Sequence, residues 1–217
     1  ECDIYDVVYF HWFLMISSSL LCRCTVLAEG EEFRLCVCLI VEPLIESLWF
    51  SDCKIIVRCG VGFNNIDIKK AGEVGIVVCN VPDYGTEDVA DHALMLLLAA
   101  TRRLVPSHEA IRAGGWDSNL ILGTPRLRGK TLGLIGCGRI GTAMALRAKA
   151  LGMNVAFFDP FVRPGTDKML GIRRVWTVEE LMEQSPFISV HCWLDEGSRN
   201  IINSKTLSCL APGSILV

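Results

Sequence analysis

The sequence has little surplus charge of either sign. Lys and Arg number 21 against 24 Asp and Glu, which leaves a formal net charge of -3 at pH 7. Proteins that bind DNA or an anionic membrane through their overall field carry a basic excess, which this chain lacks. It also has no run of like charges long enough to form a disordered tail. The composition therefore predicts neither a nucleic-acid partner nor a membrane partner, and it leaves small neutral or anionic molecules as ligands.

The chain also has no apolar run of the length that crosses a bilayer. The apolar stretch over residues 7–21 contains His11 and a run of serines, and it falls short of the roughly 20 residues that a transmembrane helix needs. Asp3 and Asp6 precede it, where a secretory signal would carry positive charge. We therefore expect a buried core segment at this point. The protein is expected in the cytoplasm, with the nucleus as the alternative.

Cysteine is plentiful, but its spacing lacks the order of a metal site or a disulfide framework. The count of 11 is odd, and the pairs Cys22/Cys24 and Cys36/Cys38 are separated by a single residue. Structural zinc sites normally place two to four residues between paired cysteines and add a matching second pair. We expect no metal site and free, buried thiols in a reducing compartment.

Strands and helices alternate along the first part of the chain after a start that is hard to interpret. Within the first fifty residues the only element that we predict is a strand over 35–41. Apolar runs punctuated by glycines then predict a strand over 54–57, a helix over 66–71, a strand over 76–79 and a long helix over 86–103. The apolar face of the long helix is wide, which is typical of a helix that crosses between domains or lies in a dimer interface.

The same alternation continues to the end of the chain with shorter links. The pattern predicts strands over 131–135, 154–158, 187–191 and 214–217, and helices over 139–151, 177–184 and 204–210. Strands that alternate with helices favour an α/β fold with a Rossmann-type, doubly wound parallel sheet. No internal repeat or low-complexity segment interrupts it. We place one domain over residues 1–85 and a second over 86–217.

A glycine motif follows the strand over 131–135 and opens the next helix: Gly136-Cys137-Gly138-Arg139-Ile140-Gly141. The first glycine permits a tight turn, the second lets a pyrophosphate approach the backbone, and the third lets the helix pack on the strand. The helix start adds free N–H groups and the positive end of the helix dipole. A glycine turn in an unrelated α/β fold is the alternative, but the strand and the helix around the motif favour a dinucleotide site.

Asp159 supports the same interpretation. It lies 18 residues after Gly141, at the end of the next predicted strand, where a carboxylate can accept hydrogen bonds from the ribose hydroxyls of an adenosine. The same carboxylate would repel a 2'-phosphate. The sequence therefore predicts NAD rather than NADP as the cofactor.

Residues 54–217 resemble the D-isomer-specific 2-hydroxyacid dehydrogenase family, and within it the branch that contains the C-terminal-binding-protein corepressors. Besides the glycine motif, the resemblance rests on IIVRCGVGFNNID (55–67), CNVP (79–82), VADHAL (89–94), LRGKTLG (127–133) and FDP (158–160). These phrases are specific to the family but not to one substrate. The resemblance implies that the sheet of the Rossmann domain is incomplete in this chain, and that residues 1–85 are part of a smaller flavodoxin-like α/β substrate domain.

The resemblance also implies roles for residues in several loops. Arg58, Val61 and Gly62 would bind the substrate, with the two backbone N–H groups facing its carboxylate; a structural glycine turn is the alternative. Thr86 would lie near the nicotinamide, although a plain helix N-cap explains a threonine there equally well.

The segment His191-Cys192-Trp193 follows the fourth Rossmann strand, and in similar proteins it passes along the ribose groups of the cofactor. His191 could be considered as a catalytic base. We expect a structural histidine instead, because the family places its catalytic histidine far downstream.

The departures from the family pattern concern both ends of the chain. The first residue is Glu rather than Met, and the first fifty residues do not match the usual N-terminal half-domain, as expected of a divergent lid, a truncated product or a faulty gene model. In similar enzymes an arginine holds the substrate carboxylate, and a histidine assisted by a glutamate moves the hydroxyl proton; all three residues would lie beyond Val217. The 217-residue chain is therefore expected to show no NADH-dependent reduction of glyoxylate, hydroxypyruvate or pyruvate, and to be poorly soluble.

Two functions and a non-functional alternative follow from the resemblance. The first is an oxidoreductase that transfers a hydride between NAD(H) and a small 2-hydroxy or 2-oxo acid, and that forms a homodimer at full length. The second is an NAD-dependent dimeric corepressor that recruits peptides. An inactive truncated product is the remaining possibility.

Overall fold

The chain consists of two compact units, Glu1–Gly85 and Thr86–Val217. Its computed structural model describes residues 24–27, 34–38, 53–58, 60–63 and 66–217. Within this described part, no helix is long and apolar enough to cross a membrane. Each unit is built around a sheet of its own.

The first unit contains a four-stranded sheet in the order β1-β2-β3-β4. Its strands are β1 (Cys24–Leu27), β2 (Arg34–Cys38), β3 (Cys53–Arg58) and β4 (Val77–Asn80). Strands β2, β3 and β4 run parallel, whereas β1 pairs with β2 in the antiparallel sense and was not predicted. The strand expected over 35–41 is thus present as β2, and its predicted end at 39–41 lies outside the described residues.

A short helix, α1 (Ile68–Glu73), connects β3 to β4. It begins two residues later than predicted, because the Asp67 side chain accepts a hydrogen bond from the backbone N–H of Lys70 at 2.9 Å and acts as the N-cap. Only Ala71 of this helix is buried. The helix ends before Gly75, which has a φ of +77° and turns the chain into β4.

The second unit contains a five-stranded parallel sheet in the order β7-β6-β5-β8-β9. The strands are β5 (Thr131–Ile135), β6 (Asn154–Phe158), β7 (Arg173–Val175), β8 (Phe187–Val190) and β9 (Ile215–Leu216). The order reverses between β5 and β8, which is the switch point at which doubly wound sheets bind ligands. This arrangement confirms the predicted α/β class and the Rossmann-type sheet.

The helices of the second unit are α2 (Thr86–Thr101), α3 (Leu104–Arg112), α4 (Arg139–Ala150), α5 (Thr166–Leu170), α6 (Val178–Gln184) and α7 (Ser204–Leu207). A short 3-10 helix covers Ser118–Ile121. The long predicted helix ends at Thr101 because Arg103 adopts the left-handed conformation with a φ of +52°, after which α3 begins. That break, α3, α5 and the three-residue strand β7 were not predicted.

The side chains of β5 point to the two faces of the sheet and belong to two separate hydrophobic clusters of the second unit. Leu132 and Leu134 are fully buried and belong to a cluster with apolar residues of α2 and α4. Ile135 is also fully buried, but it belongs to a second cluster with residues of β7 and α6. Because neighbouring strand residues face opposite sides, the sheet is covered on both faces, as a parallel sheet requires.

Arg147 connects α4 to the first turns of α2. Its guanidinium donates to Asp91 Oδ1 and Glu87 Oε2, both at 2.5 Å. The carboxylates are exposed, so each ion pair adds only modest stability. The pairs nonetheless fix the start of α2, which carries Thr86, against the helix that opens at the glycine motif.

The centre of β5 has no room for a side chain at Gly133. A Cβ there would lie 2.8 Å from Ile188 Cδ1 and 2.9 Å from Leu181 Cγ and Ser185 Cβ. We predict that Gly133→Ala lowers the free energy of unfolding by about 1–3 kcal/mol, since α6 must shift to accept it. Urea unfolding measures the change. Gly197→Ala is the control, because Gly197 is exposed and a Cβ there meets only Asp195 Oδ1 at 3.4 Å; equal losses in both variants would contradict the prediction.

Candidate functional site

The candidate site lies at the carboxyl ends of β5, β6 and β8, around the turn that joins β5 to α4. The turn is held to both neighbouring strands by main-chain hydrogen bonds. Gly136 N donates to Phe158 O at 2.9 Å, and His191 N donates to Ile135 O at 2.7 Å. The ends of the three strands therefore meet at one place, as expected for a ligand crevice at the switch point.

Positions 136 and 141 must be glycine because neighbouring backbone atoms leave no room for a side chain. A Cβ on Gly136 would lie 2.6 Å from Cys192 N, and Gly136 has a φ of +96° that side chains rarely adopt. A Cβ on Gly141 would lie 2.3 Å from Gly136 O. The first glycine therefore lets the turn pass beside the end of β8, and the third lets α4 pack onto the turn, as their spacing predicts.

Gly138 differs from these two because the space beside it is open. It is the exposed N-cap of α4, and a Cβ built on it meets nothing within 4 Å. No side chain caps the helix there, although the first turn of a helix has N–H groups without intrahelical partners. This cradle fits the pyrophosphate of a dinucleotide, which such N–H groups bind together with the positive helix end.

Arg139 and Ile140 form the first turn of α4 and have different surroundings. Arg139 is exposed, whereas Ile140 is half-buried and packs against the first core cluster. The backbone of both residues lies at the cradle. The Ile140 side chain contributes to the core, so only its N–H group is placed for a cofactor.

Asp159, half-buried at the end of β6, is held in place by backbone N–H groups. Its Oδ2 accepts a hydrogen bond from Cys137 N at 2.8 Å. Its Oδ1 accepts from Phe161 N at 2.9 Å and from Val162 N at 3.3 Å. A carboxylate oxygen has two lone pairs, so Oδ2, which accepts only from Cys137 N, can accept a further hydrogen bond from a ribose hydroxyl while the protein fixes the orientation of Asp159.

Two partners of this carboxylate region were missed by sequence reasoning. Cys137 occupies a variable position of the glycine motif, yet its N–H group is the contact that joins the turn to Asp159. Arg174 on β7 donates to the main-chain oxygen of Asp159 at 2.7 Å. No local pattern identifies either contact, because the partners are 22 and 15 residues apart in the chain.

The segment predicted to pass along the ribose groups begins at His191. The ring nitrogen Nε2 of His191 lies 2.9 Å from Ser189 Oγ, and burial lowers the pKa of the imidazole below its ordinary value. The Cβ of His191 lies 3.6 Å from the position that a Cβ on Gly141 would take. His191 is therefore a neutral group packed beside the first turn of α4, which agrees with a structural role.

Cys192 and Trp193 continue this segment in different surroundings. Burial raises the pKa of the Cys192 thiol, so the sulfur is not a ready nucleophile. Trp193 is two-thirds exposed, at 66%, and its Nε1 donates to Asp195 Oδ2 at 3.0 Å. The roles of both residues toward a cofactor remain predictions.

Burial likewise raises the pKa of the Cys137 thiol, which lies 3.9 Å from Thr142 Oγ1. Like Cys192, it packs as a small apolar side chain. In the part of the chain that the structure describes, no group of three or more His, Cys, Asp or Glu residues could hold a metal ion.

The residues predicted to bind the substrate lie in the first unit, where β3 ends. Arg58 is the last residue of β3, and Val61 and Gly62 follow in a loop. The loop is tied to the end of β4, because Asn80 Nδ2 donates to Val61 O at 2.8 Å. Asn80 was not singled out from the sequence. Gly62 is exposed, and a Cβ on it would meet nothing within 4 Å.

Thr86 belongs to the second unit. It is the first residue of α2 and is half-buried. Thr86 is thus the first helical residue, whereas the N-cap of α1 and of α4 is the residue before the helix. Its role beside the nicotinamide remains a prediction.

The reversal of strand order at β5, the glycine cradle and the fixed carboxylate of Asp159 together define a dinucleotide-binding domain of the Rossmann type. The profile of the D-isomer specific 2-hydroxyacid dehydrogenase NAD binding domain matches residues 94–217. This match covers more than half of the chain, so the chain belongs to that family, and the cofactor of the domain is NAD.

Known proteins of this kind match a large part of the chain. C-terminal-binding protein 1 of Caenorhabditis elegans is 43% identical over 175 residues, covering 77% of this chain and 24% of that protein. D-3-phosphoglycerate dehydrogenase of Methanocaldococcus jannaschii is 38% identical over 164 residues, covering 76% and 31%. The apo structure of D-lactate dehydrogenase from Escherichia coli gives a TM-score of 0.67 at 31% identity, covering 80% of this chain and 54% of that one. The chain thus spans less than a third of the first two proteins and about half of the third.

The open space at Gly138 generates a test of the cradle. We predict that Gly138→Val abolishes NADH binding, because its methyl groups occupy the place of the pyrophosphate, while far-UV circular dichroism stays nearly unchanged. Gly138 has a φ of -75°, which any residue adopts. Fluorescence titration measures the affinity. Gly136→Val is the matched contrast and should impair folding itself, given its contact with Cys192 N. A folded Gly138→Val protein with normal NADH affinity would remove the cradle from the site.

Proposed function

We propose that this protein is an oxidoreductase that transfers a hydride between NAD(H) and a small 2-hydroxy or 2-oxo acid. The observation that carries the proposal is the pairing of an open glycine cradle at Gly138 with a carboxylate at Asp159 that backbone N–H groups hold in place. Both D-3-phosphoglycerate dehydrogenase and D-lactate dehydrogenase, named above as similar proteins, act on acids of this class by name. Family membership therefore supports the substrate class, and the individual acid is not specified.

Each part of the site has a distinct task in this proposal. The N–H groups at the start of α4 bind the pyrophosphate, and Asp159 accepts hydrogen bonds from the ribose hydroxyls. When bound, NAD supplies the nicotinamide carbon that accepts or gives the hydride. Val61 and Gly62 would direct their N–H groups to the substrate carboxylate, with Arg58 as a positive charge nearby. Thr86 and the segment His191-Cys192-Trp193 would contact the cofactor.

The carboxylate at the ribose position generates a prediction about cofactor choice. We predict that the full-length protein binds NADH at least tenfold more tightly than NADPH, a difference of about 1.4 kcal/mol, because Asp159 accepts hydrogen bonds from a ribose but repels a 2'-phosphate. Asp159→Ser should narrow this gap by removing the negative charge. Fluorescence titration with both cofactors measures the ratio.

Two variants make the comparison specific. Asp159→Asn removes the negative charge but keeps one side-chain oxygen that can accept from the backbone N–H groups. It should therefore reduce the preference for NADH over NADPH while disturbing the turn less than Asp159→Ser does. Glu183→Gln removes an exposed carboxylate from α6 and should leave the ratio unchanged. Equal affinities of the unmodified protein for NADH and NADPH would refute the assigned role of Asp159.

A second candidate function is an NAD-dependent corepressor that acts as a dimer. The 43% identity to C-terminal-binding protein 1 over 175 residues favours it. A homodimer is compatible with apolar residues that α3 leaves exposed, Leu104, Val105 and Ile111, since exposed apolar patches often mark interfaces. We place the protein in the cytoplasm for the enzymatic function and in the nucleus for this alternative.

Steady-state assays on the full-length protein separate the two functions. If the protein is an enzyme, NADH oxidation should depend on an added 2-oxo acid such as glyoxylate, hydroxypyruvate or pyruvate. If it acts as a corepressor, turnover should be negligible, and NAD should instead shift the protein toward dimers in sedimentation experiments. Turnover on any one of the three acids would confirm the enzymatic proposal, whereas NAD-stabilised dimers without turnover on any of them would favour the corepressor.

A further inference from the structure

Arg174 lies on the edge strand β7, outside the motif that binds the cofactor, but its guanidinium reaches the turn that carries Asp159. Its Nη2 donates to Asp159 O at 2.7 Å, and its Nη1 donates to Val162 O at 3.3 Å. A planar guanidinium presents its donors in a fixed fork. Arg174 thereby joins both ends of the turn over residues 159–162.

The guanidinium is itself held between aromatic rings. It lies 4.7 Å from the centroid of the Trp176 ring and 5.9 Å from that of Phe157, within the range of cation–π attraction. Phe157 is fully buried and is the cross-strand partner of Arg174. The aromatic contacts restrict the rotamer of the arginine, so the fork is fixed before any ligand arrives.

The turn that Arg174 holds is the one that orients the carboxylate. Asp159 Oδ1 accepts from the N–H groups of Phe161 and Val162, while Arg174 binds the carbonyl oxygens at both ends of the same turn. The donors of Arg174 contact main-chain oxygens, so they do not compete with a ligand for the remaining acceptor position on Asp159 Oδ2. If the turn were displaced, the Asp159 carboxylate would rotate away from the ribose hydroxyl groups from which it is proposed to accept hydrogen bonds.

The contribution of Arg174 to folding stability does not explain why an arginine lies beside Phe157 and Trp176. The Nε of Arg174 is buried and has no hydrogen-bond partner among the residues that the structure describes. A buried donor without a partner costs free energy. An apolar side chain between Phe157 and Trp176 would avoid that cost, but it could not hold the two carbonyl groups.

We propose that Arg174 is a positioning residue for the adenosine ribose, which acts by holding the turn over residues 159–162 so that Asp159 faces the ribose hydroxyls. The proposal rests on the role of Asp159 given under the proposed function. It assigns no contact between Arg174 and the cofactor. Its effect should therefore appear only when the Asp159 carboxylate is present.

A double-mutant cycle on the full-length protein tests this dependence. Arg174→Met keeps an unbranched side chain between the rings but removes the donors. We expect it to reduce the preference for NADH over NADPH by at least about threefold, the size of one or two lost hydrogen bonds. In the Asp159→Ser background the same change should leave the preference nearly constant, because the carboxylate to be positioned is gone. Fluorescence titrations of the unmodified protein, the two single variants and the double variant with NADH and NADPH give the effect of Arg174→Met on the preference in each background.

Arg173→Met is the matched control. Arg173 precedes Arg174 on β7 and contacts Gln184 and Glu180 of α6 instead of the turn, so its loss should not change the ratio. Arg174→Lys keeps the charge but lacks the fork, and it should give an intermediate ratio. Thermal unfolding will show whether Arg174→Met folds, and if it does not, Arg174→Lys replaces it in the double-mutant cycle.

The possible outcomes separate the inference from the role of Asp159. If Asp159→Ser leaves the ratio unchanged, the role of Asp159 and the inference both fail. If Asp159→Ser narrows the ratio but Arg174→Met does not, the inference alone is overturned. It is also overturned if Arg174→Met raises the preference for NADH, since the guanidinium would then act as a charge that attracts the 2'-phosphate. Equal effects of Arg174→Met in both backgrounds would reduce Arg174 to a structural residue.

Discussion

The contact between the glycine turn and the end of β8 is the constraint on which the rest of the site depends. Gly136 passes so close to Cys192 N that no side chain fits between them. The same turn is hydrogen-bonded to the end of β6, so the carboxyl ends of β5, β6 and β8 meet where α4 begins. Gly138, the N-cap of α4, is exposed at this point, and a Cβ on it would meet nothing within 4 Å.

The electrostatics of the candidate site depend on how the carboxylate of Asp159, which we propose faces the ribose, is held. Backbone N–H groups, rather than a cationic side chain, bind Asp159. In the described part of the chain, these hydrogen bonds leave its negative charge without direct pairing to a side-chain cation, and under the proposed role this charge would discriminate between a ribose hydroxyl and a 2'-phosphate. The positive charge of Arg174 contacts carbonyl oxygens of the turn instead, which separates the task of positioning from the task of recognition.

Cys137 and Cys192, two cysteines near the glycine turn, stabilise the structure of the site. Cys137 belongs to the glycine turn and Cys192 follows β8 beside it, and burial raises the pKa of both thiols. Thiols in that state are poor nucleophiles at neutral pH. Their backbone groups matter more, because Cys137 N holds Asp159 and Cys192 N sets the space beside Gly136. A family of dehydrogenases that transfers hydride through NAD has no need of a nucleophilic thiol at this point.

The local sequence was sufficient wherever the signal is carried by neighbouring residues. Strands β5 and β6 have the predicted bounds because one short apolar run ends at Gly136 and the other at Asp159-Pro160, and the glycine motif marked the cradle because each glycine has its own steric task. The break at Arg103 and the strand β7 escaped prediction, since a left-handed residue and a three-residue edge strand leave no periodic pattern. The contacts of Asp159 with Cys137 and Arg174 join residues 22 and 15 positions apart. Only the folded sheet brings these groups together, because strand order determines which loops share its carboxyl edge.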